Sequence, residues 1–357
     1  MDSTTATITR EEITPAQAAE PQNTLPARIL IRSSNWLGDA VMTSPAVRAI
    51  KLTRPDAHIT MLTRAKLADF WKMVPEVDEV IPVEQKESVF SVAKKIRKGF
   101  DMAVVFPNSI RSALEVYLAG IPRRAGSHGK YRRWLLTSVF TGRLKPGPPR
   151  HQMHHYLDLA EFAGAKVEEG MRHIETALQP VPRPVPAGSA ADTGARMKIG
   201  LCPGAEYGRA KRWLPERYAE VVNAVSQRRE CEWMLFGTER DTRVGESIAA
   251  LIETGHTNLI GKTTLAELIA ALSECRLLLT NDTGTMHLAA FLGVPTVALF
   301  GSTEPALTGP LGAGNRILRH HVECSPCFLR DCPIDFRCMK AIATDEVVEA
   351  VLRILEV

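Results

Sequence analysis

Hydrophobic residues along this chain follow two rhythms. Short apolar runs, "RILIR" (28–32), "HITML" (58–62), "EVIPV" (79–83) and "DMAVVF" (101–106), read as buried strands. Between them apolar positions recur at helical spacing, as in Ala40, Val41, Val47, Ala49 and Ile50 after the turn at Gly38. A further helical pattern covers 153–163, and then the rhythm stops. "QPVPRPVPAGSAADTGAR" (179–196) alternates prolines and ends in small polar residues, which is linker composition. Beyond it the alternation restarts: strands at "KIGLCPG", "EWMLFG", "RLLLTN" and "PTVALFG", and helices at "PERYAEVVNAVSQRR", after Asp241, at "TLAELIAALSEC" and at "TMHLAAFLG". A final stretch, "TDEVVEAVLRIL", reads as a capped amphipathic helix. Two such series predict an α/β protein of two doubly wound, Rossmann-like domains facing across a cleft. The expected boundaries are a disordered tail over 1–26, a first domain over 27–178, a linker over 179–196, a second domain over 197–343 and a closing helix over 344–357.

Composition narrows this picture little. The 357 residues are 45% hydrophobic and 24% charged, as in ordinary globular chains. Apolar runs fall far short of the ~18–20 residues that span a bilayer. The opening residues are polar and proline-punctuated and lack the pattern of a signal peptide, so a cytoplasmic protein with reduced cysteines is expected. Charge distribution says more. No acidic residue falls between Glu115 and Asp158, while Arg123, Arg124, Lys130, Arg132, Arg133, Arg143, Lys145 and Arg150 do. A belt of this kind points to an anionic partner (nucleic acid, phosphorylated glycan or membrane head groups), and a merely solvated face is the plain alternative.

The candidate chemistry sits at strand-to-helix turns. Neither G-x-G-x-x-G nor G-x-x-x-x-G-K-[ST] occurs at such a junction, which argues against a dehydrogenase and a P-loop NTPase. Asp282-Thr283-Gly284-Thr285 ends a strand and opens a helix, where backbone N–H groups and threonine hydroxyls suit a diphosphate. An ordinary N-capping turn would use the same residues. The turn "CPGAEYGRAKRW" places Arg209, Lys211 and Arg212 at a helix start, against the helix dipole, and so favours a bound anion. Glu239, after another strand, stands where a carboxylate could hold a ribose diol. The first domain's turn is the odd one. It holds Gly38 and then Asp39, a carboxylate that would repel phosphate.

Cys324, Cys327, Cys332 and Cys338 form C-x2-C-x4-C-x5-C. Four thiols so close are compatible with structural zinc or a redox cluster, but only the first pair has a standard zinc spacing, which favours a plain cysteine-rich loop. The histidines at 151, 154 and 155 are expected to decorate a helix start.

Several stretches together, "NWLGDAVMTSPAVRAIK", "FPNSIRSALEVYLAGIPRRAGSHGKYRRWLL", "CPGAEYGRAKRWLPERYAEV", "NDTGTMHLAAFLGVPTVALFGSTEP" and "CSPCFLRDCPIDFRCM", resemble glycosyltransferase family 9, the heptosyltransferases. The resemblance runs in order over about residues 27–355; 35–51 and 281–304 are its most specific parts, and 106–136 resembles the branch that adds a second heptose. It implies a GT-B fold with an acceptor-binding first domain, an ADP-sugar-binding second domain, and a terminal helix packing back toward the first. It implies Asp39 as catalytic base toward an acceptor hydroxyl, which resolves the oddity of an acid in that turn. Lys211 would contact the sugar donor's diphosphate, although the turn "GAEYGRA" departs from the family's threonine-containing one. Glu239 would hold the ribose, and Asp282, Thr283, Gly284, Thr285 and His287 would complete the donor motif. Asn108, Arg111, Arg123, Arg124, Arg132 and Arg133 would face the acceptor. The implied reaction is an inverting heptose transfer from ADP-L-glycero-β-D-manno-heptose to Kdo-lipid A bearing one heptose. It would take place in peripheral contact with the inner face of the cytoplasmic membrane, without nucleic acid and without a required cofactor. Structural zinc on the four cysteines stays open. The alternatives are a family 9 enzyme with another sugar donor or acceptor, such as one adding the first heptose, and a non-catalytic module that binds anionic surfaces.

Overall fold

The computed structural model describes residues 25–97, 99–142, 150–172 and 196–356. The tail and linker expected at 1–26 and 179–196 lie almost wholly outside the described residues, as do Arg143 and Lys145 of the basic belt. Two six-stranded sheets, all parallel, carry the fold. The first is built from β1 (Arg28–Arg32), β2 (His58–Arg64), β3 (Glu79–Val83), β4 (Met102–Val105), β5 (Arg123–Ser127) and β6 (Ser138–Phe140), in the order β3-β2-β1-β4-β5-β6. The second holds β7 (Met197–Cys202), β8 (Cys231–Leu235), β9 (His256–Asn258), β10 (Leu277–Asn281), β11 (Thr296–Leu299) and β12 (Arg316–Leu318), in the order β12-β11-β10-β7-β8-β9. Read from β9, the second order repeats the first. Each sheet therefore reverses strand order once, at β1/β4 and at β7/β10, and opens a crevice at those carboxyl ends.

Local sequence explains the first crossover. Ile29, Leu30 and Ile31 are fully buried, which fits a central parallel strand covered on both faces. α1 (Leu37–Thr53) follows and tolerates Pro45 in its interior. Proline removes the N–H that would bond the Val41 carbonyl, and the Ser44 hydroxyl donates to that carbonyl at 2.7 Å instead.

The domains meet in more than a cleft. α1 and α2 (Ala68–Lys72) pack against α8 (Leu265–Ser273) and α9 (Gly284–Phe291), so one apolar core runs from Val41 and Phe70 into Leu288 and Phe291. Phe70 and Phe291 meet edge to face at 5.2 Å. The second core gathers Trp213, Tyr218 and Val222 with Val347, Val348 and Val351 of α12 (Thr344–Leu355). That corrects the expectation for the terminal helix. Its main packing is on α6 (Pro215–Ser226), β10 and β11 of the second domain, because its valine stripe completes that core. It is not capped by its own side chains either: the Thr344 hydroxyl donates to Glu220 at 2.8 Å. Among the described residues no helix is long and apolar enough to cross a membrane.

Candidate active site

The crevice ends of the two sheets face each other, and the two oddly placed charges lie within electrostatic reach of one another there. Asp39 lies in the first turn of α1, half-buried. Gln152, the first residue of α5 (Gln152–Phe162), donates from Nε2 to Asp39 Oδ1 at 3.0 Å and contacts Tyr156 Oη at 2.9 Å. Burial pushes the Asp39 carboxyl above its ordinary range; the Gln152 hydrogen bond and the nearby Lys211 charge oppose that rise.

Across the interface α9 begins directly beneath α1. A Cβ built on Gly38 would stand 2.9 Å from Cδ2 of the His287 ring, and one on Gly284 would stand 3.1 Å from Leu37 Cβ. Glycines at both helix starts let the domains approach this closely. His287 is buried, its pKa pushed down to about 4 by desolvation, so its ring is neutral at physiological pH. Its Nδ1 is buried with no partner among the described residues.

Lys211 Nζ pairs with Asp282 Oδ2 at 2.5 Å, and Thr303 Oγ1 donates to the same oxygen at 2.7 Å. The acid of the Asp-Thr-Gly turn thus holds the lysine rather than facing an anionic ligand itself. The other cations of that turn are also engaged, Arg212 with the buried Asp241 at 2.9 Å and Arg209 with Asp331 at 3.0 Å. A cavity of about 410 Å³ opens beside these groups. Glu239, Gly261, Thr283, Gly284 and Thr285 line it from the second domain, and Leu37 and Lys66 from the first.

The structure divides the expected acceptor residues. Asn108 is exposed after β4, at the same sheet edge as Asp39. Arg111 donates to Glu115, which also binds the buried Arg32 at 2.8 Å, so it belongs to an internal ion network. Arg124 donates to the carbonyl of Leu135 at 2.8 Å and to that of Ile121, and lies against the Tyr117 ring. Arg132 is wholly buried, and its Nη1 donates to the Pro107 carbonyl at 2.7 Å; burial lowers its pKa to about 10. A uniform basic surface is therefore not what folding makes of this belt. Arg123 is half-buried, and Arg133 is exposed beside Lys130.

All seven cysteines are free thiols, and among the described residues no group of three or more His, Cys, Asp or Glu side chains is arranged to hold a metal ion. The cysteine-rich loop instead braces the lysine turn. Ala210 N–H donates to the Arg330 carbonyl and the Tyr207 hydroxyl to the Phe328 carbonyl, each at 2.9 Å. His151 caps α5, accepting from Met153 N–H at 3.2 Å. Sequence reading missed Gln152, which lies in no quoted motif, and gave no role to Thr303, which lies in the 281–304 stretch; the fold brings them to Asp39 and Asp282.

Two doubly wound domains set face to face across their crevice ends have the GT-B architecture found among glycosyltransferases. Residues 89–336 match the family described as glycosyltransferase family 9 (heptosyltransferase). Lipopolysaccharide heptosyltransferase 2 of Escherichia coli K12 is 32% identical over 313 residues, covering 82% of this chain and 88% of that protein. Lipooligosaccharide heptosyltransferase 2 of Haemophilus influenzae is 32% identical over 306 residues, with the same coverage. The solved structure of the E. coli ADP-heptose lps heptosyltransferase II superposes with a TM-score of 0.74 at 30% identity, over 92% of this chain and 98% of that one. The chain belongs to glycosyltransferase family 9. It is an enzyme, and the non-catalytic alternative falls.

Proposed function

We propose that this enzyme moves heptose from ADP-L-glycero-β-D-manno-heptose onto the first heptose of the lipopolysaccharide inner core. The relatives named above carry the substrate class; the observation that carries the chemistry is the convergence of Asp39 and Lys211 from opposite domains. In this reading the acceptor hydroxyl attacks the anomeric carbon while Asp39 takes its proton. The bond from that carbon to the diphosphate breaks in the same displacement, so configuration inverts. Charge growing on ADP is met by Lys211 and by the N–H groups at the start of α9. The sugar passes through an oxocarbenium-like state, as in glycoside hydrolysis.

We further propose that the first domain rests on the anionic inner leaflet that carries its acceptor. The support is the loop after β5. There Lys130 and Arg133 are exposed, and Tyr131 and Trp134 are 72% and 86% exposed. Tyr131 has a left-handed backbone (φ 59°), and buried Arg132 pins the loop from inside, so the aromatic rings stand outward on a fixed turn. Amphipathic rings with cations beside them fit a membrane interface.

Mass analysis of products tests the substrate reading. Purified protein with ADP-heptose should add one heptose to mono-heptosylated Kdo-lipid A and none to the heptose-free lipid. Addition to the heptose-free lipid would instead make it the enzyme of the first heptose.

A further inference from the structure

We infer that Gln152 is a positioning residue for the base: its amide holds Asp39 Oδ1, so that Oδ2 alone is presented to the acceptor hydroxyl. The inference rests on Asp39 being the base. Its carrying observation is the bond from Gln152 Nε2 to Asp39 Oδ1 at 3.0 Å, made by a side chain whose other contact, Tyr156 Oη at 2.9 Å, fixes the amide in turn. Tyr156 is nearly fully buried on the same helix face, four residues on. The preceding residue ties this helix start to the other domain. His151 Nδ1 accepts from Met153 N–H, so Nε2 carries the ring proton and donates to the Gly309 carbonyl at 3.0 Å. The start of α5 is therefore held on both sides of the interface, by Asp39 in the first domain and by Gly309 in the second. A free carboxylate rotates and offers either oxygen to solvent or substrate; this one is restrained where proton transfer needs a fixed acceptor atom.

The groups around Asp39 set the sign of the test. From α5 it faces Gln152 and Tyr156, with His151 alongside; from α9 the neutral His287 lies under Gly38; from the turn after β7 comes the Lys211 charge. Of these, the Gln152 hydrogen bond and Lys211 hold the carboxyl down against burial. Removing the bond leaves burial and Lys211 in place, so the acid form must persist to higher pH.

The experiment is the pH dependence of kcat at saturating substrates for Gln152→Leu and Gln152→Glu. Both acidic limbs should move to higher pH, the Glu variant further because it sets a second carboxylate against Asp39. Maximal kcat should fall about tenfold or more for Gln152→Leu, with the KM for ADP-heptose within about twofold of wild type. Gln152→Glu is nearly isosteric and serves should the leucine variant fold poorly. Limbs and kcat unchanged in both variants would overturn the role of Gln152. Asp39→Asn separates the two failures: if it abolishes turnover while the Gln152 variants are silent, the base stands and only the positioning role falls.

Discussion

At the scale of single residues, the site is a set of charges that need each other. Lys211 is 13% exposed and Asp282 5%, and their pair is closed off by Thr303. A charge-assisted contact to diphosphate contributes ~1.5–3 kcal/mol. Lys211→Ala also leaves the Asp282 carboxylate uncompensated beside the ligand, so its effect should exceed the contact alone. ADP affinity measured by calorimetry should fall at least about tenfold, since each ~1.4 kcal/mol is a decade. Adding Asp282→Asn to that variant should recover part of the loss by removing the stranded charge. Undiminished ADP affinity in Lys211→Ala would place the lysine outside the donor site. Lys211 was legible in the sequence because a cation at a helix start opposes the dipole and needs a reason. Its partner's role was not: Asp282 reads equally as a cap, and only the 2.5 Å pairing distinguishes a lysine holder from a ligand.

At the scale of elements, periodicity found what burial dictates and missed what it does not. The central strands β1, β2, β4, β7, β10 and β11 read from sequence because both their faces are covered and each carries a short apolar run. β5 did not. Its sequence, "RRAGS", lets Arg124 pack on Tyr117 and Leu135 while Ala125, Gly126 and Ser127 fill the sheet, so a strand looked like a stretch of basic surface. The short outer strands β6, β9 and β12 span three residues each, too few for any period to show. The same substitution of partner for solvent undid the belt. Arg150 answers to the Asp158 carboxylate, and Arg124 and Arg132 answer to carbonyls within the fold, which charge counting along the chain cannot see.

At the scale of the molecule, the belt's exposed cations Lys130 and Arg133 stand on the loop from Lys130 to Trp134, at the same sheet edge as Asp39. A cation near an anionic leaflet contributes ~1 kcal/mol. Replacing Lys130 and Arg133 by Gln should therefore weaken binding to anionic vesicles about tenfold or more, and Trp134→Ala should weaken it further. Raising salt should mimic the charge variants but not the Trp134 one, because screening acts only on the charges. ADP-heptose KM should be untouched in all three. Vesicle binding equal to wild type would remove the membrane from the account. The two-domain plan itself was legible from the repeated alternation of strand and helix. That the domains share a core through Phe70 and Phe291 was not, since an apolar helix face does not announce which domain it meets.

The central claim is a division of labour, with the base on one domain and the sugar nucleotide on the other. The most direct test is Asp39→Asn, which keeps the shape of the side chain and its bond to Gln152 while removing the proton acceptor. Turnover with ADP-heptose and mono-heptosylated Kdo-lipid A should fall at least ~10²-fold, the usual worth of general-base help, while calorimetric affinity for ADP stays near wild type. Turnover within a few-fold of wild type would contradict the assignment of Asp39, and with it the mechanism built across this interface.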